Sequence, residues 1–375
     1  MKQFLGSIAA VLLAFLASIS APVAQAETGD QPKVLMIISG NGQDGGQTAP
    51  GYEFDEFASA FLVFDANGIA VDVASPEGGN VESDPYDATE AVNAQVLANA
   101  SIMAKLENSL ALASVSHTDY DAVFIVGGKG AMFDFHDNAA LQEIIADTYI
   151  SGGTVAAVCH GPAALVNVTL PDGSFLVDGK RVNGFTNVEE HMFGQKWMPD
   201  FAFLLEDKLV ERGGRFESAP MMLSHVAIDD RLITGQNPAS TPLVAEAVVR
   251  SLGREPVERQ IETSERTYAL IKTVLERGPT ATQAYADAPG DYNGRLIATY
   301  GFLSARSAET DQDHRIAIAL MDVDSAVRDR PQLRLQVAKS WSELGDKDKA
   351  GEIVQTILEA DPANEAAKAF AATLN

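Results

Sequence analysis

Apolar runs alternate with helical patterns through the first two thirds of the chain. Residues 34–38 and 122–126 are apolar throughout, which is typical of strands buried on both faces of a parallel sheet. Between them, apolar side chains recur at i, i+3, i+4 and i+7 over residues 54–62, which predicts an amphipathic helix ending near Gly68. A further strand is predicted over residues 69–74. Strand, helix and strand in this order predict a βαβ unit in a doubly wound α/β fold.

The same alternation continues to residue 251. It predicts an Ala-rich helical stretch over 88–112, helices over 141–150, 201–209 and 239–251, strands over 226–228 and 232–234, and a hairpin over 175–182 turning at Asp178-Gly179. In sheets of this kind, ligands bind beyond the carboxyl ends of the strands. The loops after Ile38, Val126 and Val158 are expected to open on that edge.

From Gly253 onward the chain is polar, Ala-rich and helical, which predicts a domain boundary. We expect an α/β domain over 27–253, a linker over 254–264 and a small all-α domain over 265–375. Part of the last resembles one tetratricopeptide repeat, at Val337, Ala338, Trp341, Gly345, Ala350, Val354, Ile357 and Pro362. One repeat is too few for a stable solenoid. A small bundle of tetratricopeptide character is therefore expected, packed on the α/β domain or on a protein partner.

Residues 1–26 have the layout of a secretory signal peptide. Lys2 is followed by an apolar core over 8–16 and by Ala24-Gln25-Ala26. The core is too short to span a bilayer, which needs about 20 residues. We expect cleavage after Ala26 and export to a periplasm or out of the cell, without membrane insertion.

Composition narrows the classes of partner and chemistry. The chain carries 27 Lys and Arg against 52 Asp and Glu, a net charge of -25, which argues against nucleic acid or an anionic membrane as partner. A single cysteine cannot form an internal disulfide, so an exported protein would keep a free thiol. The histidines lack metal-ligand spacing, and neither a metal nor a cofactor is expected.

That single cysteine, Cys159, lies where a strand over 154–158 is predicted to meet a helix that begins at Pro162. Small residues flank it on both sides, as in a nucleophile elbow. A thiol at such a turn would face the helix N-terminus, which favours the thiolate, and His160 is adjacent as an ion-pair partner or base. The alternative is a buried structural cysteine. The Gly-Pro pair and the adjacent histidine favour the nucleophile.

Four segments carry a resemblance to a known family: 119–130, 157–162, 184–187 and 234–240. In order and spacing they resemble the PfpI/ThiJ family of the class I glutamine amidotransferase-like superfamily, over about residues 33–252. The similarity is greatest to its branch of stress-induced, glutathione-independent glyoxalases with chaperone activity. The resemblance implies a flavodoxin-like, mostly parallel sheet with a nucleophile elbow, and homodimerisation.

The resemblance also implies the reactive groups. It makes Cys159 the nucleophile and His160 the base. The backbone N–H groups of Gly128 and His160 are implied as an oxyanion hole. Glu190 is implied as the acid that orients His160, with Glu189 as the rival for that role.

Glu56 is implied as the carboxyl that contacts the thiol. Taken alone it lies off the apolar stripe of its helix and would be interpreted as a solvated surface charge. Two positions depart from the glyoxalase branch: Lys129 replaces a histidine and Ser59-Ala60 replace His-Pro. Both are expected near the pocket mouth, where they would change substrate polarity. His225 is predicted to border the pocket.

The resulting hypothesis is a cofactor-independent glyoxalase or deglycase, a lyase that turns small 2-oxoaldehydes such as methylglyoxal into 2-hydroxy acids through a Cys159 hemithioacetal. The same groups could perform acyl transfer, so a peptidase or amidase is the enzymatic alternative. A chaperone or binding protein whose helical domain recruits a partner, and a redox sensor that oxidises Cys159, are the others. As an enzyme, the chain is expected to keep its activity when residues 265–375 are deleted.

Overall fold

A computed structural model describes residues 31–325 and 329–374. The predicted signal peptide over residues 1–26 therefore lies outside the described residues. From Pro32 onward the described residues belong to one compact unit. Within them, no helix combines the length and apolar character needed to cross a membrane.

A seven-stranded sheet forms the centre of the α/β part, in the order β3-β2-β1-β4-β5-β9-β8. Every neighbouring pair is parallel except β8 with β9 at one edge. The strands are β1 Lys33–Ile37, β2 Ala70–Ser75, β3 Leu110–Ala111, β4 Ala122–Ile125, β5 Thr154–Val158, β8 Val226–Asp229 and β9 Leu232–Gly235. The predicted doubly wound, mostly parallel fold is confirmed.

A second sheet has only two short strands, β6 Arg181–Val182 and β7 Arg215–Phe216, which pair in parallel. The hairpin predicted over 175–182 is therefore wrong. The chain does turn there, with Gly179 at a φ of 69°. The strand that follows pairs with residues more than 30 positions away rather than with the segment before the turn.

Helices cover the sheet on its two sides, and α1 packs against α8. In this part of the chain they are α1 Phe54–Ala66, α2 Ala91–Leu97, α3 Ala100–Glu107, α4 Ala131–Asp134, α5 Ala139–Ile150, α6 Asn187–Phe193, α7 Leu205–Glu211 and α8 Thr241–Ser251. Both β4 and β5 are buried at every position. That burial explains their uninterrupted apolar sequence, because a strand between two helical layers has no solvent-facing side.

The remainder of the described chain is helical, as predicted. Its helices are α9 Thr263–Arg277, α10 Gln283–Asp287, α11 Gly294–Ser304, α12 Asp311–Met321, α13 Pro331–Glu343, α14 Lys347–Ala360 and α15 Glu365–Leu374. One buried apolar cluster joins α9, α11 and α12 to Leu223, a residue of the loop between β7 and β8. A second cluster lies among the last helices. The tetratricopeptide character of this region stays a prediction.

The segment predicted to be a linker is tied to both sides. Arg259 donates to Glu246 on α8 at 2.8 Å and to both carboxylate oxygens of Glu265 on α9 at 2.6 Å. Arg254 donates to the carbonyl of Asn67 at 2.8 Å. Bidentate arginine–carboxylate pairs fix geometry as well as adding attraction. The helical region is thus held at a defined place beside α8.

Candidate active site

Cys159 lies at the apex of a tight turn at the carboxyl end of β5. Its φ is 59°, in the left-handed region that a residue with a side chain seldom adopts. Its N–H donates to the carbonyl of Gly235 at 2.9 Å. A side chain at Gly161 would lie 2.6 Å from the carbonyl oxygen of Ile125, so glycine is required there. The strained turn presents the thiol at the edge of the sheet where ligands are expected.

The expected depression of the thiol pKa is not found. Residues Gly161–Leu165 form a short 3₁₀ turn rather than an α-helix, which leaves little helix dipole at the thiol. Burial and the neighbouring Glu56 carboxyl instead raise the pKa of the Cys159 thiol.

Glu56 is fully buried beneath the thiol, so the solvated interpretation of this residue is wrong. It accepts a hydrogen bond from the N–H of Gly127 at 2.7 Å and interacts with Cys159. Burial raises its pKa well above the ordinary range of a glutamate. A side chain at Gly127 would collide with both Glu56 and Cys159. The carboxyl and the thiol therefore form a buried pair that shares protons.

His160 connects the thiol to a second carboxylate. Its Nδ1 lies 3.5 Å from the sulfur of Cys159, and its Nε2 lies 2.7 Å from Oε2 of Glu190. Glu190 comes from α6 and is 2% exposed, while the imidazole is 1% exposed and packs on the ring of Phe185. A carboxylate at Nε2 keeps the proton on that nitrogen, which leaves Nδ1 as an acceptor facing the sulfur. Of the two adjacent glutamates, it is Glu190 that reaches the imidazole.

Glu189 has another position and other contacts. It forms a capping box with Thr186 at the start of α6. It also accepts hydrogen bonds from the N–H of Met222 at 2.8 Å, from Asn237 at 2.8 Å and from Gln236 at 3.1 Å. Glu189 thereby ties the start of α6 to two loops, one with Met222 and one with Gln236 and Asn237. The Thr-x-x-Glu spacing was a readable signal for the cap, whereas the loop contacts were not readable from the sequence.

Two backbone N–H groups are placed to receive negative charge. Gly128 and His160 both border the cavity above the thiol. Within the described chain, neither N–H donates to a protein acceptor. Gly128 has a φ of 97°, and a Cβ there would lie 2.5 Å from the N of Glu53. This arrangement can serve as an oxyanion hole.

The cavity that contains the thiol has a volume of about 230 Å³. The lining residues are Glu53, Gly128, Lys129, Cys159, His160, Phe185, Glu189, Phe193, Met222, Asn237, Pro238, Ala239 and Tyr268.

Three residues predicted near this cavity lie elsewhere. His225 is absent from its lining and faces Glu217, 3.6 Å away. Ser59 lines a separate cavity beside α8, and Ala60 is buried in the core. The Ser59-Ala60 departure therefore does not lie at the pocket mouth, whereas Lys129 does line the cavity.

Glu53 and Tyr268 also line the cavity, although no motif in the sequence marks either of them. Burial, together with the negative charge of Asp55, raises the pKa of Glu53 to about 7, against the opposing effect of Lys129. Tyr268 comes from α9, far along the chain. In the part of the chain that the structure describes, no cluster of His, Cys, Asp and Glu is arranged to hold a metal ion.

The comparisons with known proteins agree on one family. The model of the DJ-1/PfpI family matches residues 47–251. A Schizosaccharomyces pombe protein named glutathione-independent glyoxalase is 30% identical over 218 residues, which are 54% of this chain and 89% of that protein.

Solved structures agree with this assignment. The Francisella tularensis rapid encystment protein of 24 kDa matches with a TM-score of 0.56 at 33% identity, over 59% of this chain and 99% of the other. Glyoxalase III of Candida albicans matches with a TM-score of 0.54 at 25% identity, over 59% of this chain and 97% of the other. The family model ends before α9, so the helical region lies outside it.

Proposed function

The chain belongs to the DJ-1/PfpI family, and from this premise we propose that it is a glutathione-independent glyoxalase acting on small 2-oxoaldehydes such as methylglyoxal. Relatives that match it carry that name. The observation that carries the proposal is the position of the Cys159 thiol between the buried Glu56 carboxyl and a His160 imidazole held by Glu190. Nucleophile, proton acceptor and orienting acid are thus within reach of one another.

The first step is addition of the sulfur of Cys159 to the aldehyde carbon. A carbon–sulfur bond forms, the thiol proton passes to Glu56, and Glu56 returns it to the former carbonyl oxygen, which becomes a hydroxyl. Because burial raises the pKa of Glu56, its carboxylate is a stronger base than that of an exposed glutamate, which suits it to accept the thiol proton and return it. The N–H groups of Gly128 and His160 stabilise the developing negative charge on oxygen. The product of this step is a hemithioacetal.

The second step moves a proton between adjacent carbons. Nδ1 of His160 removes the proton from the former aldehyde carbon, and an enediol forms. The neighbouring carbon then gains a proton while the hydroxyl on the first carbon loses one, which gives a thioester of the 2-hydroxy acid. Water then cleaves the carbon–sulfur bond, releasing the acid and the free thiol. The net reaction adds one water to the 2-oxoaldehyde.

The test is conversion of methylglyoxal to lactate by the purified chain without glutathione. We expect Cys159→Ala and Glu56→Gln each to lower kcat by at least about a hundredfold, since each removes a group that acts in the first step. Glu143→Gln changes a glutamate exposed on α5 and is the matched control for charge.

An inactive parent chain whose Cys159 is reduced and alkylates freely would overturn the proposal and direct attention to acyl-transfer substrates. Full activity in Cys159→Ala would overturn the cysteine mechanism while leaving the activity itself standing.

A further inference from the structure

Tyr268 brings the helical region into the catalytic cavity. It belongs to α9, which begins at residue 263, outside the segment that the family model matches. Yet it lines the same cavity as Cys159 and His160. One wall of the cavity is therefore built by a part of the chain that the family does not supply.

Behind that wall lies a second cavity of about 240 Å³. It is lined on one side by α9, through residues that include Glu265, Ala269 and Lys272. Only Tyr268 and Ala239 line both cavities. Since Ala239 has no side chain beyond its Cβ, the ring of Tyr268 supplies most of the partition.

Two sets of contacts hold this partition in place, one in the apolar cluster behind it and one on the side of the catalytic cavity. Next to Tyr268, Leu270 and Ile271 are buried in the cluster that includes Leu223, and Tyr268 itself packs against this cluster. Met222 packs there too, and its N–H is bound by Glu189, a residue of the catalytic cavity. A ring packed in this way can act as a fixed stop for a substrate.

We propose that Tyr268 is the specificity-determining residue of this site: it ends the substrate cavity and restricts the enzyme to 2-oxoaldehydes with short substituents. This inference rests on the proposed function for its substrate class. The reacting carbons must lie beside Cys159, which leaves the substituent to the apolar residues of the lining, among them Phe193, Met222 and the ring of Tyr268.

The proposal changes the expected effect of truncation. Deleting residues 265–375 would remove Tyr268 and open the cavity wall. The sequence-based expectation that such a deletion spares activity is therefore replaced by an expectation of altered specificity.

The direct test compares methylglyoxal with phenylglyoxal in the full chain. Tyr268→Ala joins the two cavities, and we expect the ratio of kcat/KM for phenylglyoxal to that for methylglyoxal to rise about tenfold, mostly through KM, as is typical when a hydrophobic pocket changes size. Tyr268→Phe keeps the ring and should leave the ratio within about twofold. Should Tyr268→Ala fail to fold, Tyr268→Leu removes part of the ring and should move the ratio in the same direction.

Tyr292→Ala is the matched control, because this tyrosine packs on the same apolar cluster but lines neither cavity. An equal change of the ratio in Tyr292→Ala, or an unchanged ratio in Tyr268→Ala and Tyr268→Leu, would overturn the proposal.

A second readout needs no turnover. Cys159 is the one cysteine of the chain, so alkylation reports on this cavity alone. Tyr268→Ala should accelerate labelling by the bulky N-phenylmaleimide about tenfold relative to the small iodoacetamide. If the parent chain converts neither aldehyde but this selective acceleration is found, the glyoxalase proposal fails and the partition stands. Equal acceleration of both reagents would contradict the partition itself.

Discussion

At the scale of single residues, the pairing of Cys159 with Glu56 determines how the thiol responds to pH. Burial and the carboxyl raise the pKa of the thiol, so the protonated thiol is favoured and Glu56 must take the proton for the sulfur to attack. The amphipathic pattern of α1 could not show this. Glu56 lies off the apolar stripe, but Gly127 and Cys159 cover it, and both are distant from it in the sequence.

Glu56→Gln should therefore make the thiol more reactive while abolishing turnover. Removing the carboxyl removes a cause of the raised thiol pKa, and we expect alkylation by iodoacetamide at pH 7 to become about tenfold faster, as for a pKa lowered by about one. The measurement is the labelling rate against pH for the parent chain, Glu56→Gln and the surface control Glu143→Gln. A rate in Glu56→Gln equal to that of the parent would contradict the pairing.

At the scale of secondary-structure elements, strands β1, β2, β4, β5 and β9 were predictable to within about a residue because their burial imposes a largely apolar sequence, whereas β3 lies inside the stretch 88–112 that was predicted to be helical. The nucleophile turn was predictable for the same reason, since it directly follows β5. The hairpin over 175–182 was not. Its turn signal is real, but pairing depends on β7, which is distant in the sequence. The position of α6 was likewise not encoded locally, because its loop contacts come from residues 222–237.

Glu189 anchors α6 to those loops, so its substitution should lower the free energy of unfolding. In Glu189→Gln one carboxylate oxygen becomes an NH₂ group that faces hydrogen-bond donors, and we expect about 2 kcal/mol less stability from the unsatisfied buried partners. The measurement is the unfolding midpoint in denaturant. The control is Glu206→Gln on α7. The Glu206 side chain accepts one hydrogen bond, from the backbone N–H of Asn187, so this substitution should change the midpoint little. Equal midpoints for Glu189→Gln and the parent chain would refute this role.

At the scale of the whole molecule, the buried acids and the net negative charge both lower the stability of the folded chain as pH rises. Burial is the chief cause that raises the pKa of Glu53 to about 7 and that of Asp134 to about 6, and it also raises the pKa of Glu56 well above the ordinary range of a glutamate. Each of these groups is bound more tightly to its proton in the folded chain than in the unfolded one. The stability they contribute is present below about pH 4.5 and is lost as pH rises through the folded values. The net charge of -25 adds repulsion in the folded state.

We therefore expect the free energy of unfolding to fall by about 4 kcal/mol between pH 5 and pH 8, from Glu53 and Asp134 alone. Glu53→Gln should reduce that fall by roughly half. Glu143→Gln removes the same charge at an exposed position and separates the net-charge effect from burial. The measurement is the melting temperature as a function of pH at constant ionic strength. A melting temperature that rises from pH 5 to pH 8 in the parent chain would contradict the assignment of these acids.

Because Tyr268 forms the wall of the cavity, the residue that limits the substrate and the groups that react with it lie on two different stretches of chain. The reacting groups stand on the α/β part, where a change in backbone would disturb a strained turn and several buried charges at once. The stop for the substrate stands on α9, whose other contacts are mainly apolar packing. Substrate range can therefore diversify by substitution in the helical region while the reacting groups stay fixed. An inherited reaction chemistry can in this way acquire new substrates through an appended segment.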